Sequence, residues 1–192
     1  MVFNSGPIVI TSTNLHVKKL SLPTFQVRIS VVLHTGGKKR ESNSMAQIGI
    51  FVGTVYGNAL LTAKEVELVL AAQEHQVALF KNGIFEQWQT YSKEVILLIT
   101  STTGHGEIPS NIIPLFQQLK NKLNQQPALR YGIIALGDRS YDTFCGAGHR
   151  FDAMLQDQGA NRIGELLKID TLEHPNSETI ACSWAKQWGA LL

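Results

Sequence analysis

From residue 45 onward, short apolar runs alternate with longer amphipathic stretches. Residues 95–99 and 131–136 are almost continuously apolar, which is typical of parallel strands covered on both faces. The pattern predicts strands at 47–52, 76–79, 95–100, 131–136 and 166–169, with helices at 58–73, 109–123, 146–158 and 178–191. The second helix is expected to begin near Pro109, since a missing N–H costs nothing in a first turn. Strands alternating with helices predict a doubly wound α/β fold in three layers.

Residues 1–44 lack this alternation and carry a different charge. They hold six basic residues and one acidic residue, whereas residues 45–192 hold eleven basic and fourteen acidic residues, a net charge of −3. We interpret residues 1–44 as a disordered or non-native N-terminal extension, with Met45 as the natural start. A folded β extension and a basic targeting or nucleic-acid arm remain alternatives. Because the six basic residues form no dense patch, no nucleic-acid partner is expected.

The composition indicates a globular protein and argues against disulfide-rich, metal-binding and membrane-spanning classes. The chain has 192 residues, 44% of them apolar and 17% charged, which suits a globular protein with one hydrophobic core. The two cysteines, Cys145 and Cys182, show neither a CxxC nor a metal-ligand spacing, so we expect reduced thiols, no metal and a cytoplasmic location. No apolar run reaches about 18 residues, so no membrane partner is expected.

Three loops, each directly after a predicted strand, carry the candidate chemistry. They are residues 54–59 (TVYGNA), 101–109 (STTGHGEIP) and 137–148 (GDRSYDTFCGAG). In doubly wound sheets, ligands bind outside the carboxyl ends of the strands. The first loop opens a helix, so its N–H groups and the helix dipole favour an anion. Hydroxyls and bare N–H groups without Lys or Arg suit a phosphate, and the glycines let a planar ligand approach the backbone.

Other ligand sites of this architecture are excluded by the residues present. The sequence lacks GxGxxG after the first strand, and it lacks GxxxxGK[ST], so neither a classical dinucleotide site nor a P-loop is expected. Phe51-Val52 and Thr100-Ser101 stand where a phospho-receiver domain needs acidic residues. No GxSxG elbow exists to place a hydrolase nucleophile.

The three loops resemble those of flavodoxins, and the match extends over residues 45–192. The run 135–145 (ALGDRSYDTFC) closely resembles short-chain flavodoxins of the MioC and YqcA type. The runs 45–54 (MAQIGIFVGT) and 101–106 (STTGHG) are most similar to the YqcA group. The resemblance implies that residues 45–192 form an FMN-binding domain with a five-stranded parallel sheet of order 2-1-3-4-5 and one non-covalent FMN.

The resemblance also implies which residues contact the cofactor. Residues 54–59 would wrap the phosphate with help from Thr102, while residues 103–106 would line the inner face and N5 edge of the ring. Gly104 matches the glycine whose carbonyl accepts the N5–H of reduced flavin, and Tyr141 matches the aromatic residue on the outer face. The implied cofactor-binding residues are Thr54, Val55, Tyr56, Gly57, Asn58, Ala59, Thr102, Thr103, Gly104, His105, Gly106, Leu136, Gly137, Asp138, Tyr141, Phe144 and Cys145.

The chain departs from the family pattern at three of these positions. Tyr56 and Ala59 stand where many relatives have threonine, and each lost hydroxyl donor costs roughly 0.5–1.5 kcal/mol if it is not replaced. The phenol of Tyr56 is a candidate replacement for one of them. Thr103 stands where an inner-face aromatic residue is common, and His105 is a candidate substitute for it.

The resemblance implies a low-potential one-electron carrier without substrate turnover of its own. A monomer is expected. It would take electrons from an NAD(P)H-dependent flavodoxin or ferredoxin reductase and pass them to an acceptor enzyme, such as a radical enzyme. Two alternatives stay open: an FMN-dependent quinone reductase, and a flavin-poor binding or regulatory protein. The departures at Tyr56, Ala59 and Thr103 keep the second of these open.

Overall fold

Six strands and five helices make up the part of the chain that the structure describes, alternating up to β5, which β6 follows directly. The structure is a computed structural model, and it describes residues 45–192, so the prediction for residues 1–44 lies outside it. The strands are β1 Gln47–Gly53, β2 Gln76–Phe80, β3 Val95–Ser101, β4 Arg130–Gly137, β5 Asn161–Arg162 and β6 Leu167–Asp170. The helices are α1 Asn58–Ala71, α2 Phe85–Tyr91, α3 Ile113–Lys122, α4 Gly146–Asp157 and α5 Ser177–Gly189.

All strand pairs are parallel, and the sheet has the order β2-β1-β3-β4-β5, with β6 also paired to β4. The first two residues of β4 pair with β5, and residues 134–137 pair with β6. Both short strands therefore occupy the same position beside β4, as one edge strand interrupted by residues 163–166. The predicted order 2-1-3-4-5 is confirmed, with its fifth strand divided in two.

The sheet is covered on both faces, which gives the three predicted layers. Alternate residues of β1 and β3 point to opposite faces, because side chains alternate along a strand. Ile48, Ile50 and Val52 pack in a cluster with the buried sides of α1 and α5. Phe51 joins a second cluster that contains buried residues of α2, α3 and α4. Within residues 45–192, no helix is long and apolar enough to cross a membrane.

Two features of the helices differ from the sequence prediction. The seven-residue helix α2 was not predicted, because only Phe85 and Trp88 of its residues are buried and this spacing is too short to show a period. The second predicted helix begins at Ile113 rather than at Pro109, and Pro114 occupies its first turn. Residues 109–112 instead form a turn closed by the bond from Ile112 N–H to Pro109 C=O (3.0 Å).

Candidate functional site

The three predicted loops meet at the carboxyl edge of the sheet and enclose two adjoining cavities. The larger has a volume of about 450 Å³ and the smaller about 190 Å³. Tyr56, Thr102, Thr103 and Asp138 border both cavities, so the two form one elongated groove. The larger cavity is also bordered by Gly104, His105, Tyr141, Thr143, Phe144 and Cys145, and the smaller by Thr54, Asn58, Ser101, Leu136, Gly137 and Thr171.

The first loop is held by the buried side chain of Thr54. Its hydroxyl accepts a hydrogen bond from the N–H of Gly57 (2.9 Å), and its own N–H donates to Asn111 Oδ1 (2.8 Å). Gly57 has a φ of 95°, which an L side chain adopts only with strain, so glycine is required at this turn. The loop is thus fixed before any ligand binds.

The same loop leaves several N–H groups for a ligand. Helix α1 begins at Asn58, and the first N–H groups of a helix have no acceptor within it. Among the described residues, the amides of Val55, Tyr56, Asn58 and Ala59 donate to no other group. Because the helix dipole adds positive potential at this end, the loop suits an anion such as a phosphate.

The second loop is a tight turn between Thr103 and Glu107. The carbonyl of Thr103 accepts from the N–H groups of Gly106 (3.1 Å) and Glu107 (2.8 Å), while the Thr103 hydroxyl donates to the carbonyl of Glu107 (3.2 Å). Gly104 has a φ of 50°, and a Cβ there would contact Glu107 Oε2. The turn therefore favours glycine for its backbone conformation, since the Glu107 carboxylate could move aside.

The third loop places a carboxylate and two aromatic rings beside the groove. Asp138 Oδ1 accepts hydrogen bonds from the N–H (2.8 Å) and the hydroxyl (2.5 Å) of Ser140, which fixes the start of the loop. Tyr141 is exposed at the edge of the larger cavity. Phe144 is half-buried, and the guanidinium of Arg139 lies over its ring at 5.3 Å from the centroid.

Cys145 borders the larger cavity, but its thiol is turned away from solvent. The residue is fully buried, and Sγ donates to the carbonyl of Ala135 at 3.2 Å. Burial raises the pKa of the Cys145 thiol to about 12, so the thiol stays protonated at neutral pH. Its position therefore favours a packing role over thiolate chemistry.

Four of the predicted residues do not border either cavity with the others. The side chain of Ala59 is buried in the core, and Gly57 has no side chain. Both residues can therefore offer only backbone groups to a ligand. Val55 is exposed outside the groove. Gly106 is buried where the second and third loops touch, since a Cβ there would lie 2.9 Å from Thr143 Cβ. The cavities bring the remaining predicted residues together.

Several residues of the site are missing from the implied cofactor-binding residues, although Ser101 and Thr143 lie within the predicted loops. Ser101, Thr143 and Thr171 add hydroxyl groups to the groove, and the hydroxyl of Thr171 donates to Gly137 C=O (3.0 Å). Thr171 directly follows β6, so the strand-end rule that identified the three loops also applies to it. Asn111 fixes the first loop by accepting a hydrogen bond from the N–H of Thr54, and nothing in its local sequence indicates this role.

The fold and the groove define a doubly wound α/β protein with an open groove at the carboxyl ends of β1, β3 and β4, where proteins of this architecture bind their ligands. Residues 50–184 match the flavodoxin family. Flavodoxin YqcA of Pectobacterium carotovorum subsp. carotovorum is 53% identical over 148 residues, which is 77% of this chain and 98% of that protein. Protein MioC of Escherichia coli K12 is 34% identical, covering 77% of this chain and 99% of that protein. The chain belongs to the flavodoxin family, as a short-chain member of the MioC and YqcA type.

Solved structures show the same fold. A mutant of a flavodoxin from Pseudomonas aeruginosa is 31% identical with a TM-score of 0.70, covering 76% of this chain and 98% of that one. A flavodoxin from Fusobacterium nucleatum bound to flavin mononucleotide is 19% identical with a TM-score of 0.61, covering 76% of this chain and 95% of that one. Membership of the family implies an FMN-binding electron carrier.

The residues present fit FMN at both ends of the groove. The N–H groups of the first loop and the hydroxyls of Thr54 and Thr102 provide neutral donors for a phosphate. The larger cavity, at about 450 Å³, lies within the usual range of small-molecule sites and is bordered by aromatic side chains that suit a planar ring. Within residues 45–192, neither Lys nor Arg borders either cavity, so a phosphate in the groove would be held by neutral donors.

Proposed function

We propose that this protein carries single electrons on a non-covalent FMN, from an NAD(P)H-dependent flavoprotein reductase to an acceptor enzyme. The observation that carries this proposal is the pair of adjoining cavities, with neutral phosphate donors at one end and aromatic walls at the other. When bound, FMN would supply the one-electron chemistry, and the protein supplies binding and electrostatics.

The loops have distinct roles in this proposal. The free N–H groups of Val55, Tyr56, Asn58 and Ala59 bind the phosphate, and Tyr141 covers one face of the ring. The carbonyl of Gly104 accepts no hydrogen bond from the described residues, so it is available to accept one from a ring N–H. Because Gly104 has no Cβ, this peptide can turn without the strain that a side chain would add at its φ of 50°.

The charges around the groove set the direction of the redox tuning. Asp138 borders both cavities, and Glu107 and Asp142 are exposed in the same two loops. Each carboxylate raises the free energy of added negative charge on a ring in the larger cavity, and Asp138 does so most strongly, because water and salt screen the exposed Glu107 and Asp142. We therefore expect the second electron to enter at a low potential, which suits a donor to reductively activated enzymes.

The proposed function is tested by loading the full chain with FMN. The protein is incubated with FMN and desalted, and its visible spectrum is recorded before a coulometric titration. We expect a retained flavin band and two separated one-electron steps. Failure to retain flavin would overturn the carrier and favour the flavin-poor binding protein. Steady-state reduction of a quinone by NAD(P)H without added reductase would favour the quinone reductase instead.

A further inference from the structure

Two exposed tyrosines from different loops border the larger cavity. Tyr141 is 53% exposed and Tyr56 is 92% exposed. Tyr141 follows β4 and Tyr56 follows β1, and β3 lies between these strands in the sheet. The loops that carry the two tyrosines therefore lie on either side of the loop that follows β3. Tyr56 also borders the smaller cavity, so it stands where the two cavities join.

The side chain of Tyr56 contributes little to the fold of its own loop. The loop is fixed by Thr54 and by the turn at Gly57, as described above. The phenol of Tyr56 has no hydrogen-bond partner among the described residues. An aromatic ring that is almost wholly exposed beside a cavity offers a large apolar area for a ligand to cover.

Thr103 leaves room for such a contact. Its hydroxyl donates to Glu107 C=O, so its side chain is engaged in the turn and presents only a small surface to the cavity. A planar ring bound against Thr103 would lack an aromatic neighbour from the second loop. Tyr56 borders the cavity together with Thr103, so its ring is the aromatic surface available on this side of the groove.

We propose that Tyr56 supplies the second aromatic wall of the flavin site, on the side of the ring away from Tyr141. This inference rests on the proposed function, because it names a residue that positions the ring of the bound FMN. The contact is made by the aromatic ring of Tyr56 rather than by its hydroxyl. It therefore acts on any ligand that has an isoalloxazine, with or without a phosphate.

The test compares two flavins on two variants of Tyr56. FMN and riboflavin share the ring, but only FMN has the phosphate, so the pair separates a ring contact from a phosphate contact. Tyr56→Phe removes the hydroxyl alone, whereas Tyr56→Ala removes the ring. Leu68→Ala is the control, because Leu68 is 64% exposed on α1 and borders neither cavity. The readouts are the Kd of each flavin and the fluorescence of the bound flavin.

We expect Tyr56→Ala to weaken the binding of both flavins by about three- to tenfold, the range of a single aromatic pair. The bound flavin should also fluoresce more strongly, since a stacked phenol quenches it. Tyr56→Phe and Leu68→Ala should match the wild type in both readouts.

Unchanged binding and fluorescence in Tyr56→Ala would overturn the inference. So would weaker binding of FMN alone in Tyr56→Phe, which would assign the hydroxyl to the phosphate. A wild-type chain that binds neither flavin would instead overturn the proposed function.

Discussion

The thiol of Cys145 lies beside the ring cavity, yet burial raises its pKa to about 12. Alkylation requires the thiolate, which is almost absent from this site at pH 8. We expect iodoacetamide at pH 8 to label Cys182, which is only half-buried, well before it labels Cys145 in the folded protein. Peptide mass spectrometry after timed quenching measures both rates, and labelling in denaturant shows that Cys145 is intrinsically reactive. Equal rates in the folded protein would contradict the burial of the thiol.

The same pKa shift links Cys145 to stability. Because its pKa is higher in the folded than in the unfolded state, the folded protein retains a proton that the unfolded chain loses. The contribution is therefore complete below the ordinary thiol pKa of about 9 and is lost as the pH rises from there toward 12. Urea unfolding of Cys145→Ala should show a smaller loss of stability between about pH 9 and pH 10 than the wild type.

The side chain of Asn111 ties the loop before α3 to the end of β1 and to the turn after β2. Its amide donates to Val52 C=O (2.9 Å) and Lys81 C=O (2.7 Å), and its Oδ1 accepts from the N–H of Thr54. We expect Asn111→Ala to lower the free energy of unfolding by about 1–3 kcal/mol, since these backbone groups lose their partner. FMN binding should also weaken, because the phosphate loop loses its support.

The control for Asn111 is Asn124→Ala. Asn124 is exposed beyond the end of α3 and has no hydrogen bond within the described residues. Urea titrations and FMN titrations of both variants separate the two effects. If Asn111→Ala lost stability but bound FMN as tightly as the wild type, Asn111 would not support the loop.

At this scale, the sequence predicts well where two independent signals agree. Residues 95–99 are apolar throughout and end in a loop of hydroxyls and glycines, and both β3 and its loop lie where they are predicted. The sequence prediction fails where tertiary contacts determine where a helix begins or which way a side chain points. The segment after Pro109 is held as a turn, with Asn111 bonded to distant backbone groups, so helix α3 begins four residues later. Likewise, no pattern shows that the Cys145 thiol faces Ala135, because that direction depends on how the third loop folds back.

For the whole molecule, the charge balance bears on its partners. Residues 45–192 carry a net charge of −3, and exposed Glu107 and Asp142 lie beside the groove. Opposite charges accelerate docking, and salt screens the attraction. If the reductase presents a basic face, the association rate should fall as the ionic strength rises, and Asp142→Asn should slow it about two- to threefold at low salt. Stopped-flow reduction of the loaded protein measures this rate.

Asp157→Asn provides the matched control for the docking experiment. Asp157 is exposed at the carboxyl end of α4, and this helix runs back from the groove to the opposite edge of the sheet. The substitution removes the same charge at a distance from the flavin loops. Equal slowing by both substitutions would show that total charge, rather than the charge beside the groove, steers the encounter.

The divided edge strand affects how the protein behaves at high concentration. A long, straight edge strand exposes a row of unpaired N–H and C=O groups, on which a strand of another molecule can add. Here the edge beside β4 consists of two residues of β5 and four of β6, separated where Gly164 turns the backbone at a φ of 68°. An incoming strand could pair with only a few residues before the edge bends away. The interruption thus protects this side of the sheet against aggregation while the groove at the strand ends stays open.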